Sequence, residues 1–321
     1  MSIRGFIMIN DITVGVTSVS FSKNNKLISE IRSKGFGRVL LNEAGTRFTS
    51  EELVVFLSQC DIAIVGLDKI DESLLKQVPS LKAVVKYGVG LDNIDFSACE
   101  KYGVSVLHTQ GVNKRSVAEM VLGNMLSLCR NIYVSSNEHK AYNWVKNGGV
   151  QLSGKTVGVI GVGHIGKEVI SLLKPFSCNI LVNDIIDQSD YYIENDLKET
   201  SKESIYSEAD FITVHTPLND STVNMIDKTA IGMMKNSAFI INTARGGIVN
   251  ENDLKVALTK GMIAGAAVDV YLPEPPTDND FISIPNLICT PHIGGNALEA
   301  VEAMGEAAII NTMEYVININ N

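Results

Sequence analysis

The chain has 321 residues, a length that suits about two domains, and its 45% hydrophobic and 20% charged residues are enough for large buried cores. A formal net charge of −9 argues against a nucleic-acid or anionic-membrane surface, because such surfaces need basic patches. No apolar run reaches the length of about 18 residues that a transmembrane helix needs.

The N-terminal stretch Met1 to Asn10 is too short and too polar-flanked for a good signal peptide. The runs Asp11–Val16, Ile62–Val65, Ala83–Val85 and Val104–Leu107 read as strands. Helical stretches such as Asn25–Lys34 and Ser50–Gln59 lie between them. Continuous apolar strands separated by amphipathic helices predict a parallel sheet covered on both faces. Lys114 to Asn131 reads as a long apolar helix, suited equally to an ordinary core, a domain junction or a dimer interface. The five cysteines (Cys60, Cys99, Cys129, Cys178 and Cys289) stand singly, which predicts reduced thiols in a cytoplasmic protein and neither a zinc site nor a disulfide framework.

From about Ser153 a second α/β unit begins. Val157 to Ile160 is an apolar run followed by Gly161-Val162-Gly163-His164-Ile165-Gly166, with a helix-like segment, Lys167 to Lys174, behind it. This is the build of a dinucleotide-binding turn. Gly161 permits the tight turn, Gly163 lets the backbone approach a pyrophosphate, and Gly166 lets the helix pack close to the strand. A second run, Asn179 to Asn183, ends at Asp184, where a carboxylate can accept from ribose hydroxyls. The polar stretch Asp187–Ser207 carries few strand signals, and βα units resume at Phe211–His215, Ala238–Asn242 and Ala264–Val270. A final helix, Leu298–Val316, can return to the first domain.

Three more clusters carry chemistry. Arg245 follows the strand Ala238–Asn242 directly, and its fork can clamp a carboxylate. Asp269 and Glu274 follow the next strand, and His292 follows Leu287-Ile288-Cys289. Singly, each reads as a surface ion pair, a loop acid or a structural histidine. Together they place a carboxylate clamp, an acid and an imidazole on successive strand ends, the equipment for moving a hydride and a proton at a 2-hydroxy acid.

These motifs resemble those of the D-isomer-specific 2-hydroxyacid dehydrogenase family, most closely its D-3-phosphoglycerate dehydrogenase branch. The resemblance is carried by Lys86 to Asp95, Gly111-Val112-Asn113 with Val117-Ala118-Glu119, and the glycine fingerprint. It continues through His215-Thr216-Pro217-Leu218, Asn242 to Gly247, Asp269 to Pro275 and Pro291 to Gly295. It implies two doubly wound parallel-sheet domains, an α/β architecture in which a Rossmann NAD-binding domain (108–297) is inserted into a flavodoxin-like substrate domain (1–107 plus 298–321). The site is then expected in the interdomain cleft, in a homodimer, with no metal. Arg245, Glu274 and His292 would be catalytic: Arg245 binds the substrate carboxylate, His292 is the general acid/base, and Glu274 pairs with His292 and orients its ring. Tyr87, Gly88, Val89 and Gly90, with Arg245 and His292, would hold the substrate. On the cofactor side, His164 and Ile165 with Gly161, Gly163 and Gly166 would face the pyrophosphate and Asp184 the ribose. Thr216 and Pro217 would cover the adenosine. Thr243, Ala244, Arg245, Asp269, His292, Gly294 and Gly295 would face the nicotinamide.

Some positions depart from the branch. Gly66 stands where an arginine usually meets the substrate phosphate, Lys86 where arginine is common, Gln110 where proline is frequent, and Ser177-Cys178 where a glycine turn is frequent. The chain stops at Asn321, so no C-terminal regulatory extension is expected. The expected function is an NAD-dependent 2-hydroxyacid dehydrogenase. The alternatives are an NAD(H)-sensing corepressor of the same fold and, third, a related formate or phosphite oxidoreductase.

Overall fold

The computed structural model of the protein describes residues 8–320, so most of the stretch on which the signal-peptide expectation rests lies outside the described residues. The chain divides into two compact units. One holds the chain up to Asn113 and again from Ala297, and the other holds Lys114–Asn296.

The first unit is built on five parallel strands: β1 (Thr13–Val16), β2 (Arg38–Leu41), β3 (Ile62–Val65), β4 (Ala83–Lys86) and β5 (Ser105–Leu107), in the order β2-β1-β3-β4-β5. This is the flavodoxin-like doubly wound order. β3 and β4 are buried along their whole length, as the apolar runs Ile62–Val65 and Ala83–Val85 predict, and the charged Lys86 at the end of β4 is buried with them. On one face Phe21, Leu27 and Ile31 pack with Ala308 and Ile309 of the helix Leu298–Ile319. Leu53, Leu57, Leu74 and Leu75 cover the other.

The second unit carries β6 (Thr156–Ile160), β7 (Asn179–Asn183), β8 (Lys198–Glu199), β9 (Phe211–Val214), β10 (Phe239–Asn242), β11 (Gly265–Val268) and β12 (Leu287–Cys289). Their order is β12-β11-β10-β9-β6-β7-β8, all parallel, which is the Rossmann order with one more strand. The order reverses between β6 and β9, and ligands of open α/β sheets bind at that point, beyond the carboxyl ends of the strands. The helix Lys114–Cys129 lies in the core of this unit. It buries Val117, Ala118, Val121 and Met125, the last three in the cluster that also holds Val169 and Ile170 of the helix His164–Leu173. Of its three expected roles, the core helix describes these contacts.

Candidate active site

The reversal point is built from the β6 and β9 ends. Gly161 has φ +93°, and a Cβ there would stand 2.5 Å from the carbonyl oxygen of His215. Only glycine lets these two strand ends come so close. A Cβ on Gly166 would lie 2.2 Å from the Gly161 oxygen, so the helix sits directly on the turn. Gly163 is the N-cap of that helix and faces open space, since a Cβ there would meet no atom within 4 Å. His164 is exposed and Ile165 half-buried. Helix amide groups here can take a pyrophosphate.

Asp184 ends β7 as the sequence predicts. Its Oδ2 accepts Val162 N–H at 2.6 Å and Oδ1 accepts Ile186 N–H at 2.9 Å, which fixes the carboxylate against the glycine turn. Gln188 adds a bond from Nε2 to Oδ2 at 3.3 Å. The hydroxyls of Thr216, after β9, and Thr243, after β10, are buried with no hydrogen-bond partner among the described residues. Buried polar groups are rarely left so, and both sit at strand ends where a ligand binds. An open glycine at a helix N-terminus, a fixed acid and two orphaned hydroxyls fit NAD. Pro217 is exposed, and its carbonyl accepts Thr222 Oγ1 at 2.6 Å. Next to this turn, His215 shares a 3.0 Å hydrogen bond between Nε2 and Thr213 Oγ1, and burial pushes its pKa down to about 3.

The adjacent strands β10, β11 and β12 deliver the predicted catalytic residues. After β10, Asn242 ties the turn: its Oδ1 accepts Ala244 N–H at 3.1 Å and its Nδ2 donates to Arg245 O at 2.8 Å. Arg245 is half-buried, with Nη1 donating to Ala244 O at 2.6 Å. After β12, His292 adopts φ +54°, a left-handed conformation uncommon for a residue with a side chain. Its Nδ1 lies 2.8 Å from Glu274 Oε2, and both side chains are partly exposed.

Asp269 explains how that conformation is held. It is 1% exposed. Its Oδ1 accepts Thr290 Oγ1 at 2.6 Å and Ile293 N–H at 2.9 Å, and its Oδ2 accepts Gly294 N–H at 2.7 Å. One buried carboxylate thus brackets His292 from both sides. Ser116 Oγ donates to Gly294 O at 2.6 Å, which ties the same loop to the helix Lys114–Cys129, and Gly295 follows half-buried.

Tyr87, expected as a substrate contact, lies directly after β4 with its ring turned inward. Its ring is 8% exposed and stands edge-on to Phe21 at 5.7 Å, with burial pushing its hydroxyl up to about 12. It is a core side chain. Gly88, Val89 and Gly90, which follow it, are half-buried.

Thr290, Ser116 and Gln188 carry no signal in the sequence. Each lies in an ordinary polar context and gains its role only through a tertiary partner. Among the described residues no group of three or more His, Cys, Asp or Glu is placed to hold a metal.

A doubly wound sheet with this crevice, and an imidazole–carboxylate pair on the neighbouring strand ends, define the class: an NAD-dependent oxidoreductase. Comparison with known proteins gives the family. The family model "D-isomer specific 2-hydroxyacid dehydrogenase, NAD binding domain" matches residues 122–294. The hydroxypyruvate reductase of Thermotoga maritima is 34% identical over 280 residues, covering 84% of this chain and 90% of that one. The D-3-phosphoglycerate dehydrogenase of Methanocaldococcus jannaschii is 36% identical over 272 residues. That match covers 82% of this chain and 51% of the relative, so the chain spans about half of that protein's length. The structure of D-lactate dehydrogenase from Aquifex aeolicus complexed with NAD and lactic acid matches with TM-score 0.80 at 25% identity, covering 95% and 96% of the two chains. The chain belongs to the D-isomer specific 2-hydroxyacid dehydrogenase family.

Proposed function

We propose that the protein interconverts a small unphosphorylated 2-keto acid and its D-2-hydroxy acid, with hydroxypyruvate the first candidate. The observation that carries this is the His292–Glu274 pair at 2.8 Å, on a strand end next to the Arg245 turn. NAD(H), when bound, supplies or takes the hydride. Gly161, Gly163, His164, Ile165 and Gly166 hold its pyrophosphate, Asp184 its ribose, and Thr216 and Pro217 flank its adenosine. Thr243, Ala244, Asp269, Gly294 and Gly295 line its nicotinamide end. Arg245 binds the substrate carboxylate. In reduction His292 gives a proton to the substrate oxygen, and in oxidation it takes one back. Glu274 keeps the ring turned so that Nε2 faces the reacting oxygen.

The name of the Thermotoga maritima relative supports hydroxypyruvate. Lys69, Lys86, Lys114 and Arg115, the cations that could replace an arginine at Gly66, are each engaged by another group, which supports an unphosphorylated acid. NADH oxidation with hydroxypyruvate, glyoxylate, 3-phosphohydroxypyruvate and sugar-derived keto acids tests the reading. Turnover of none of them would point to the corepressor alternative.

The same reading includes a homodimer. Trp144, at 76% exposed, and Tyr142, at 96%, stand with Val145, Val150 and Ile132 on one segment of the second unit. Clustered exposed apolar residues of this kind mark association surfaces. Light scattering after gel filtration tests it, and a monomer for the wild type would exclude it. The unpaired cysteines support a cytoplasmic location, and no helix among the described residues is long and apolar enough to cross a membrane.

A further inference from the structure

We infer that Glu251 is a positioning residue for the Glu274–His292 pair, acting through the main chain of Leu272. The inference rests on the reading of that pair as the proton-transfer site. Glu251 opens the helix Glu251–Thr259, shortly after the Arg245 turn. Its carboxylate leaves the helix and crosses to the loop after β11, where Oε1 accepts Leu272 N–H at 2.8 Å. The preceding N–H, that of Tyr271, goes to Glu274 Oε1 at 3.0 Å. Two successive amides are therefore held by two carboxylates. The inner one belongs to the residue that aims His292, and the outer one is supplied from another element.

Three observations give the outer bond its weight. Leu272 is 60% exposed, so its side chain does not anchor the loop in the core. A cavity of about 260 Å³ lies against the loop, lined by Glu251, Leu272, Pro273, Pro276, Asp278 and Phe281. The space is open to solvent, so on that side the loop has no protein neighbour among the described residues to hold it and depends more on its hydrogen bonds. Finally, Glu251 is kept where its charge is disfavoured: burial raises its pKa, and the nearby Asp278 and Glu274 act in the same direction. An acid serving only the helix N-terminus would be better placed in water. Here the bond to Leu272 is the interaction that offsets the burial.

Nothing in the sequence announces this role, since an acid in the first turn of a helix reads as an ordinary N-terminal charge. The test is steady-state kinetics on Glu251→Gln, Glu251→Asp, Glu274→Gln and the double variant Glu251→Asp/Glu274→Gln. Gln keeps an accepting oxygen at the same reach and should stay within about threefold of wild type. Asp keeps the charge at the helix start but falls short of Leu272. It should lower kcat roughly three- to thirtyfold with the KM for NADH unchanged. In the Glu274→Gln background the Asp change should cost nothing more, because the residue it serves is already disabled.

Wild-type kcat for Glu251→Asp, with only a lower melting temperature, overturns the inference and leaves a structural acid. Losses that multiply in the double variant overturn it as well, since Glu251 would then act by another route. If Glu274→Gln itself keeps wild-type turnover, the reading of Glu274 as the residue that aims His292 fails and the inference falls with it. If Glu274→Gln is slow while Glu251→Asp is not, the inference alone falls.

Discussion

Glu274 divides its carboxylate between two partners: Oε2 lies 2.8 Å from His292 Nδ1, and Oε1 accepts Tyr271 N–H at 3.0 Å. One side chain thus closes its own loop and aims the imidazole. A glutamine has a single acceptor oxygen, so Glu274→Gln must surrender one of the two bonds. A hydrogen bond to a charged group contributes about 1.5–3 kcal/mol, so kcat should fall roughly ten- to a hundredfold. The dissociation constant for NADH, read by fluorescence titration, should not move. A variant that turns over at the wild-type rate would reduce Glu274 to a loop residue.

His292→Asn removes the ring proposed to carry the proton. The expected loss of turnover is roughly 10²–10⁴-fold, again with NADH affinity spared. The backbone contributes to this expectation: Asn tolerates positive φ, and His292 sits at +54°, so the loop should survive the change. Circular dichroism and NADH titration establish that it has. Near-normal kcat at neutral pH would reassign the proton donor.

Much of this site was legible in the sequence because its parts obey local rules. The glycine turn, Asp184 and the strand ends carrying Arg245, Glu274 and His292 all follow continuous apolar runs. β2 was not legible. Arg38–Leu41 is an edge strand with no fully buried residue, so it lacks the apolar run that reveals β3 and β4. β8 is two exposed residues, Lys198 and Glu199, that become a strand only by pairing with Leu181 and Val182. The ring position of Tyr87 was hidden for the opposite reason. It belongs to a glycine-rich motif that suggests a binding loop, while its own side chain is drawn into the core beside Phe21. Asp269 was placed correctly at its strand end, but its grip on Ile293 and Gly294 exists only in three dimensions.

The position of Asp184 predicts a cofactor preference. Its carboxylate is fixed by Val162 and Ile186 amides at the end of β7, and the residues after it, Ile185 and Ile186, bring no positive charge. A ribose 2′-hydroxyl can donate to it, whereas a 2′-phosphate is repelled. kcat/KM should favour NADH over NADPH at least about tenfold, and Asp184→Ala should narrow the gap. Equal efficiency with both cofactors in the wild type would contradict this.

His215 predicts a pH dependence of stability. Burial lowers its pKa from 6.5 to about 3. As pH falls below 6.5 the unfolded chain takes up a proton on this ring, while the folded chain does not until about pH 3. The unfolded state therefore binds more protons in that window, and stability declines as the pH drops through it. His215→Gln keeps a polar partner for Thr213 and removes the titration. Urea unfolding between about pH 4 and 6.5 should show a shallower loss of stability, by a slope of up to roughly one proton. Parallel curves for the two proteins would mean that the ring titrates alike in both states.

The last prediction concerns phosphate. Gly66 stands where the phosphate-side arginine is common in the resembling branch, and four other cations are candidates to replace it. In the structure each is engaged. Lys69 pairs with Asp71 at 2.9 Å. Lys114 and Arg115 both reach Glu168, at 3.3 and 3.1 Å, and Arg115 also pairs with Glu119 at 2.6 Å. Lys86 is buried, with Nζ donating to the carbonyl of Gly66 itself at 2.5 Å and to Asn93 Oδ1 at 2.7 Å. Recruiting any of them to a phosphate would first break an existing bond, and for Lys86 would take a donor away from a buried carbonyl. Without a charge-assisted contact of about 1.5–3 kcal/mol, a phosphorylated acid loses roughly ten- to a hundredfold in affinity. Catalytic efficiency with 3-phosphohydroxypyruvate should therefore not exceed that with the best unphosphorylated acid, and competition between the two in one assay measures the ratio directly. A strong preference for the phosphorylated acid that survives alanine substitution of Lys69, Lys86, Lys114 and Arg115 would restore a phosphoglycerate dehydrogenase reading.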